Sequence, residues 1–223
     1  MGSFRPIALN QTTPPAGPPG TASDLVFNPS QTALIATVKG NGMDPGYIYA
    51  YTVSPCGTID TIPIISRPSD LLLDFSISFI DDSHAVITDP SYGAALVDVS
   101  WDFQFTVQTK IVVPGESATC WSVYAPRFDT VFVIDAGSPN MTLVDPASGA
   151  KKGTLTMDAA NMGGFDSKMD REYLYVLRGT PMVSVFDANG LSHGALPKDI
   201  QTFSLSAVGT RINLQGMAVY PSS

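Results

Sequence analysis

The feature that most restricts this chain is a repeat in which an apolar strand, a short polar turn and a second apolar strand recur. Leu25-Val26-Phe27-Asn28 leads through Ser30-Gln31-Thr32 into Ala33-Leu34-Ile35-Ala36, and Ile77-Ser78-Phe79-Ile80 leads through Asp81-Asp82-Ser83-His84 into Ala85-Val86-Ile87-Thr88. Ser122-Val123-Tyr124 passes Pro126-Arg127-Phe128-Asp129 into Val131-Phe132-Val133-Ile134, and Gly164-Phe165 passes Lys168-Met169-Asp170-Arg171 into Tyr173-Leu174-Tyr175-Val176. A half copy follows at Met217-Ala218-Val219-Tyr220-Pro221. The anchors Phe27, Phe79, Tyr124, Phe165 and Tyr220 stand 52, 45, 41 and 55 residues apart. Paired strands at that period predict the blades of a β-propeller.

Composition agrees with an all-β chain. There are 18 Asp but only 2 Glu; Glu suits helix interiors, whereas Asp competes with the backbone and favours turns. Eighteen Pro and 19 Gly leave few windows long enough for a helix. Val, Ile, Thr, Tyr and Phe fill the apolar segments, as half-buried pleated surfaces prefer.

A formal charge of −8, with the basic residues scattered, disfavours nucleic acid as a partner. No run approaches the roughly 18 to 20 apolar residues that span a bilayer, so no membrane partner is expected. Few charges, abundant Ser, Thr and Asn, and the sequons at Asn10 and Asn140 point to a secreted glycoprotein whose leader is not in this chain. Cys56 and Cys120 fall on opposite faces of the expected blades and predict no disulfide.

The repeat divides the chain. Residues 1–22 read as an N-terminal edge strand and a Pro-rich connection, because prolines lack the donors a ladder needs. Residues 23–223 read as the propeller, with blades at about 23–68, 69–115, 116–158 and 159–207 and a closing strand at 212–221. The turns Asp145 to Gly149 and Asp187 to Gly190 hold matching places in successive repeats and support this register. The shared blade that would close the circle lacks its second and third strands. Bare blade edges invite pairing, so the chain is expected to be completed by a further propeller segment or by a second copy, making an oligomer. A closed four-bladed ring is the alternative.

Several segments resemble the lactonase-like seven-bladed propellers, the phosphogluconolactonase and carboxymuconate-cyclase group. They are residues 23–39 followed by Gly46-Tyr47-Ile48-Tyr49-Ala50-Tyr51, then Ala118-Thr119-Cys120-Trp121-Ser122-Val123, Tyr173-Leu174-Tyr175-Val176-Leu177 and Asn213-Leu214-Gln215-Gly216-Met217-Ala218. The resemblance implies seven blades, of which this chain holds the last four.

Lactone hydrolysis or cyclisation needs a positioned acid or base and an electropositive group for the oxyanion. His84 and His193 both lie at turns on the face opposite the loops that line a propeller's central pocket, and are read as structural or solvent-exposed. The carboxylates of Asp81 and Asp82 read as solvated turn residues. No Gly-x-Ser-x-Gly elbow, zinc-spaced cluster, calcium loop or phosphate-binding glycine loop appears, so no metal or cofactor is expected. One constellation repeats: Lys39, Asp89, Asp135 and Arg178 each end a second strand. Four charges of mixed sign there would make a polar collar able to orient a ligand, unless they pair among themselves or with backbone. Trp121 adds an apolar wall or packs in the core. The expected function is therefore a non-catalytic lactonase-like scaffold that binds a small molecule or a protein. The alternative is a lactonase or cyclase acting on a lactone or carboxylate-bearing small molecule.

Overall fold

The computed structural model describes residues 7, 9, 19–214 and 216–220. Among them the chain forms four antiparallel sheets, each a four-stranded meander in chain order. The first holds β1 (Ala22–Phe27), β2 (Ala33–Val38), β3 (Tyr47–Thr52) and β4 (Ile64–Ser66). The second holds β5 (Ile77–Phe79), β6 (His84–Asp89), β7 (Gly93–Val99) and β8 (Phe105–Val112). The third holds β9 (Thr119–Ala125), β10 (Thr130–Asp135), β11 (Asn140–Val144) and β12 (Lys151–Thr156). The fourth holds β13 (Gly164–Asp170), β14 (Tyr173–Arg178), β15 (Met182–Asp187) and β16 (Lys198–Ser204). This is the blade topology of a β-propeller, with one sheet per sequence repeat.

Burial explains the pattern of letters. Every residue of β2 and of β10 is buried, which is why both, up to the closing Asp135 of β10, read as runs of apolar and β-branched residues rather than alternating ones. The outermost strands differ: β12 alternates and β16 is exposed along its whole length. Second strands are covered on both faces; fourth strands meet water.

Two compact units make up the chain. One comprises residues up to Ser91 together with Ala95–Lys110, the other Tyr92–Ala94 and Ile111 onward. In the first unit Leu34, Ala36, Val38, Tyr49 and Tyr51 form a cluster joined by Ile7 and Leu9. Its first-strand turns are tied through Asp82, whose Oδ1 accepts from Asn28 Nδ2 at 2.8 Å and from the Ser30 amide at 3.0 Å. Asp82 is thus a latch between turns, a role its solvated reading did not include. In the second unit Phe132, Ile134, Met141, Leu143, Leu174, Val176 and Phe186 belong to one core. There the corresponding turns are joined by an Arg127–Glu172 ion pair at 2.9 Å. Gln31, Asp129 and Arg171, all in these turns, adopt left-handed backbone, which tightens each reversal at some steric cost.

The expected edge strand before residue 10, Asn10 and most of the Pro-rich connection fall outside the described residues, Ile7 and Leu9 apart. At the other end residues 216–220 belong to none of the four sheets. The Met217 amide instead donates to Asp166 Oδ2 at 2.6 Å. A strand exists only with a partner ladder, and among the described residues none pairs with this segment.

Candidate functional site

The four charges that end the second strands have one task in common. In the first unit the buried Asp89 accepts the amides of Leu72 (2.6 Å) and Leu73 (3.1 Å) through Oδ2, and the amide and hydroxyl of Ser91 through Oδ1. Lys39 reaches the Ala22 carbonyl at 3.5 Å and lies 4.5 Å over the Phe75 ring. In the second unit Asp135 accepts the amides of Ser117 and Ala118 at 2.7 and 2.8 Å. It also accepts the Gly137 and Ser138 amides and the Ser138 hydroxyl. Arg178, fully buried, donates to the carbonyls of Asp158 and Met162 and to Ser184 Oγ.

In the second, third and fourth repeats the side chain reaches back to the segment that leads into its own blade, and Lys39 reaches the first residue of β1. Aspartate does so where that segment offers N–H groups, and a basic residue does so where it offers carbonyls. Charge-assisted bonds of this kind are about twice as strong as neutral ones. Burial pushes the Arg178 guanidinium below its ordinary value, while the Asp158 and Asp199 charges hold it up. Met162, whose carbonyl Arg178 grips, has φ 57° and ψ −162°, a region that glycine alone visits cheaply. Arg178 therefore fastens a strained loop.

The remaining sequence candidates are placed as follows. Trp121 packs against the core of the second unit, as do Val123 and Leu155. Asn140 opens β11 half-buried, its Oδ1 accepting from Thr156, and Thr142 beside it is buried. His193 is exposed at the end of a short 3-10 turn. His84 is half-exposed, with Nδ1 2.9 Å from Asp81 Oδ1. Neither cysteine is in a disulfide among the described residues: Cys120 is buried, and Cys56 is exposed. Hydrogen bonds from Ser54 and Thr58 bring the Cys56 thiol down to about 7. Among the described residues no group of three or more His, Cys, Asp or Glu is arranged to hold a metal ion.

One buried acid escaped the sequence reading. Asp74 is fully buried, and neither of its carboxylate oxygens has a hydrogen-bond partner among the described residues. A Cβ added to Gly46 would stand 2.4 Å from Asp74 Oδ1, and the Gly46 amide is already directed to Leu71 O at 3.2 Å. Burial, aided by the nearby Asp89 charge, outweighs the lowering pull of the nearby Asp74 and Gly46 backbone amides and of Arg67 and pushes the Asp74 carboxyl up to about 7. Its signal was available: a lone acid closing the run Leu71-Leu72-Leu73 ahead of Phe75.

No protein-family model matches the chain, and no curated protein sequence matches it. Solved structures do. The periplasmic gluconolactonase of Pseudomonas aeruginosa superposes with a TM-score of 0.62 at 18% identity, over 82% of this chain and 57% of that one. A protein proposed to be a 6-phosphogluconolactonase, from Bacteroides uniformis, gives 0.66 at 11% identity, over 84% and 58%. The Pan2 WD40 domain of Neurospora crassa gives 0.62 at 10% identity, over 83% and 50%. The fold is a β-propeller. At these identities the likeness shows the fold alone, and lactonase-like and WD40 propellers share it. The chain spans little more than half the length of the structures it matches.

Proposed function

We propose that the chain is a lactonase-like propeller scaffold that binds a small ligand or a protein partner and carries out no reaction by itself. The observation that carries this reading is the engagement of the second-strand charges. Asp89 and Asp135 are surrounded by backbone donors, and Arg178 by backbone acceptors. A general base needs an open lone pair, and an oxyanion clamp needs an uncommitted donor. The oxygens of Asp89 and Asp135 and the two terminal nitrogens of Arg178 are held by their own blades instead, and the remaining Arg178 Nε, which has no partner among the described residues, is itself buried.

The proposal extends to a seven-bladed assembly completed by a further propeller segment or a second copy of the chain. Its support is the share of each matched structure that this chain accounts for, 57% and 58% for the two lactonase-type proteins. The apolar Leu25 and Phe27 of the first strand, both exposed, are consistent with a missing neighbour. Secretion, read from composition, belongs to the same proposal.

Two measurements test it. Light scattering is expected to give a mass above that of the single chain; a monomer with sharp thermal unfolding overturns the completion. Incubation with δ-gluconolactone, in the completed assembly, is expected to yield no hydrolysis above the buffer rate. Turnover that disappears in Arg178→Ala while the fold persists would establish the lactonase alternative.

A further inference from the structure

Blade two carries an open groove of about 580 Å3. It lies where the turn between β5 and β6 and the turn between β7 and β8 come together, both in the first unit. Its walls include His84, Asp98, Ser100, Gln104, Thr106 and Gln108, and Val99 is the one apolar residue among the lining groups. Gln104, Thr106 and Gln108 alternate along the outer strand and therefore share a face, opposite the buried Phe105.

The imidazole is set in a defined way. Asp81 faces Nδ1 with both oxygens, at 2.9 and 3.0 Å, so Nδ1 carries a proton and the Nε2 side of the ring is turned to the groove. Nε2 is 3.8 Å from Asp98 Oδ1, too far for a direct hydrogen bond. Burial alone would raise the Asp81 carboxyl, but bonds from His84 and the Ser83 amide prevail and hold it below its usual range. The groove therefore presents an imidazole nitrogen and a carboxylate side by side, flanked by amides that both donate and accept.

A second observation points to a ligand. Trp101, between Ser100 and Gln104 at the tip of the β7–β8 turn, is 92% exposed. Its tip is stiffly built: the Ser100 amide donates to Gln104 O, the Gln104 amide to Ser100 Oγ, and the Phe103 amide to Ser100 O. Phe103 takes a left-handed φ of 57° to complete it. An indole 92% exposed on a rigid turn buries almost nothing within its own chain, and the turn that carries it is the one whose Ser100 and Gln104 line the groove.

We propose that this groove binds a neutral saccharide, with Trp101 stacking on the apolar face of a sugar ring and His84, Asp98, Gln104 and Gln108 meeting its hydroxyls. The chemistry matches group by group. Sugar rings present C–H faces suited to an amphipathic aromatic, and hydroxyls, which both donate and accept, suit a carboxylate, an imidazole and amides set side by side. The chain's charge of −8 disfavours anionic sugars. A protein partner fits less well, because protein hot spots centre on desolvated apolar pockets and this lining is polar almost throughout.

The test uses the full chain and hexasaccharides of glucose, mannose, galactose and N-acetylglucosamine, followed by calorimetry and tryptophan fluorescence. Binding of at least one is expected, with an emission change; Trp121 is packed in the core, so the change arises at Trp101 and vanishes in Trp101→Ala. Affinity should fall about tenfold in that variant, the equivalent of one stacking contact, and severalfold in Gln108→Ala. Both residues are exposed, so the variants should fold as the parent does, which circular dichroism checks. No saturable binding of any of the four sugars overturns the proposal, as does binding that survives Trp101→Ala. Capture of a peptide at Trp101 without any sugar binding overturns it equally.

Discussion

Asp74 in the first unit and Asp135 in the second are both buried, yet they live under opposite conditions. Asp135 accepts five hydrogen bonds, four from backbone amides and one from the Ser138 hydroxyl. Asp74 accepts none at either oxygen. Burial disfavours a carboxylate in both cases, and donors decide whether the charge survives. The difference follows from what comes next in the chain. Asp135 is followed by Ala136, Gly137 and Ser138, a turn whose amides fold back on it, whereas Asp74 runs directly into Phe75, Ser76 and β5. One aspartate fastens its blade; the other is a neutral acid in waiting.

The contrast breaks most visibly with pH. The Asp74 carboxyl stands near 7 in the fold against 3.8 unfolded, so the folded chain binds its proton more tightly. Stability from this group is fully present below about pH 4, declines as pH rises towards 7, and is level above it. Asp74→Asn, an uncharged isostere, should remove that decline. Urea unfolding at pH 8 should show the variant more stable by up to about 4 kcal/mol, with the two proteins converging near pH 4. A parallel pair of pH curves would show that Asp74 finds donors after all.

The Asp135 side is sharpened by comparing two substitutions. Asp135→Ala leaves buried amides unanswered and should cost about 3 kcal/mol in urea unfolding. Asp135→Asn keeps one acceptor oxygen but turns an N–H2 towards at least one donor, and should cost about 2 kcal/mol. Equal costs for the two would mean that the charge, rather than the count of acceptors, matters. The smallest effect concerns the basic version of the same fastening in blade four. Met162→Gly relieves the unfavourable backbone that Arg178 grips, and should raise the unfolding midpoint by an amount equivalent to about 1 kcal/mol. No gain would place the strain elsewhere.

Much of the fold was legible because its determinants are local. Residues 33–38 and 130–134 are apolar or β-branched throughout since both faces of these second strands are covered, and the polar turns between first and second strands fell at repeating places. The equivalence of Lys39, Asp89, Asp135 and Arg178 could also be read. Their use could not, because each takes a backbone partner some 16 to 20 residues earlier, and backbone atoms look alike at every letter. A collar open to ligand and a set of internal ties have the same sequence signature. His84 was weighed by its turn alone. Asp98, the residue that gives its Nε2 side meaning, lies in β7, and only strand pairing brings the two together.

The two thiols have a practical consequence. With Cys56 ionising near neutrality at the surface and Cys120 covered by the fold, a maleimide dye applied at pH 7 should mark each molecule once, on the loop after β3. Counting photobleaching steps in single particles would then report directly how many chains share one assembly.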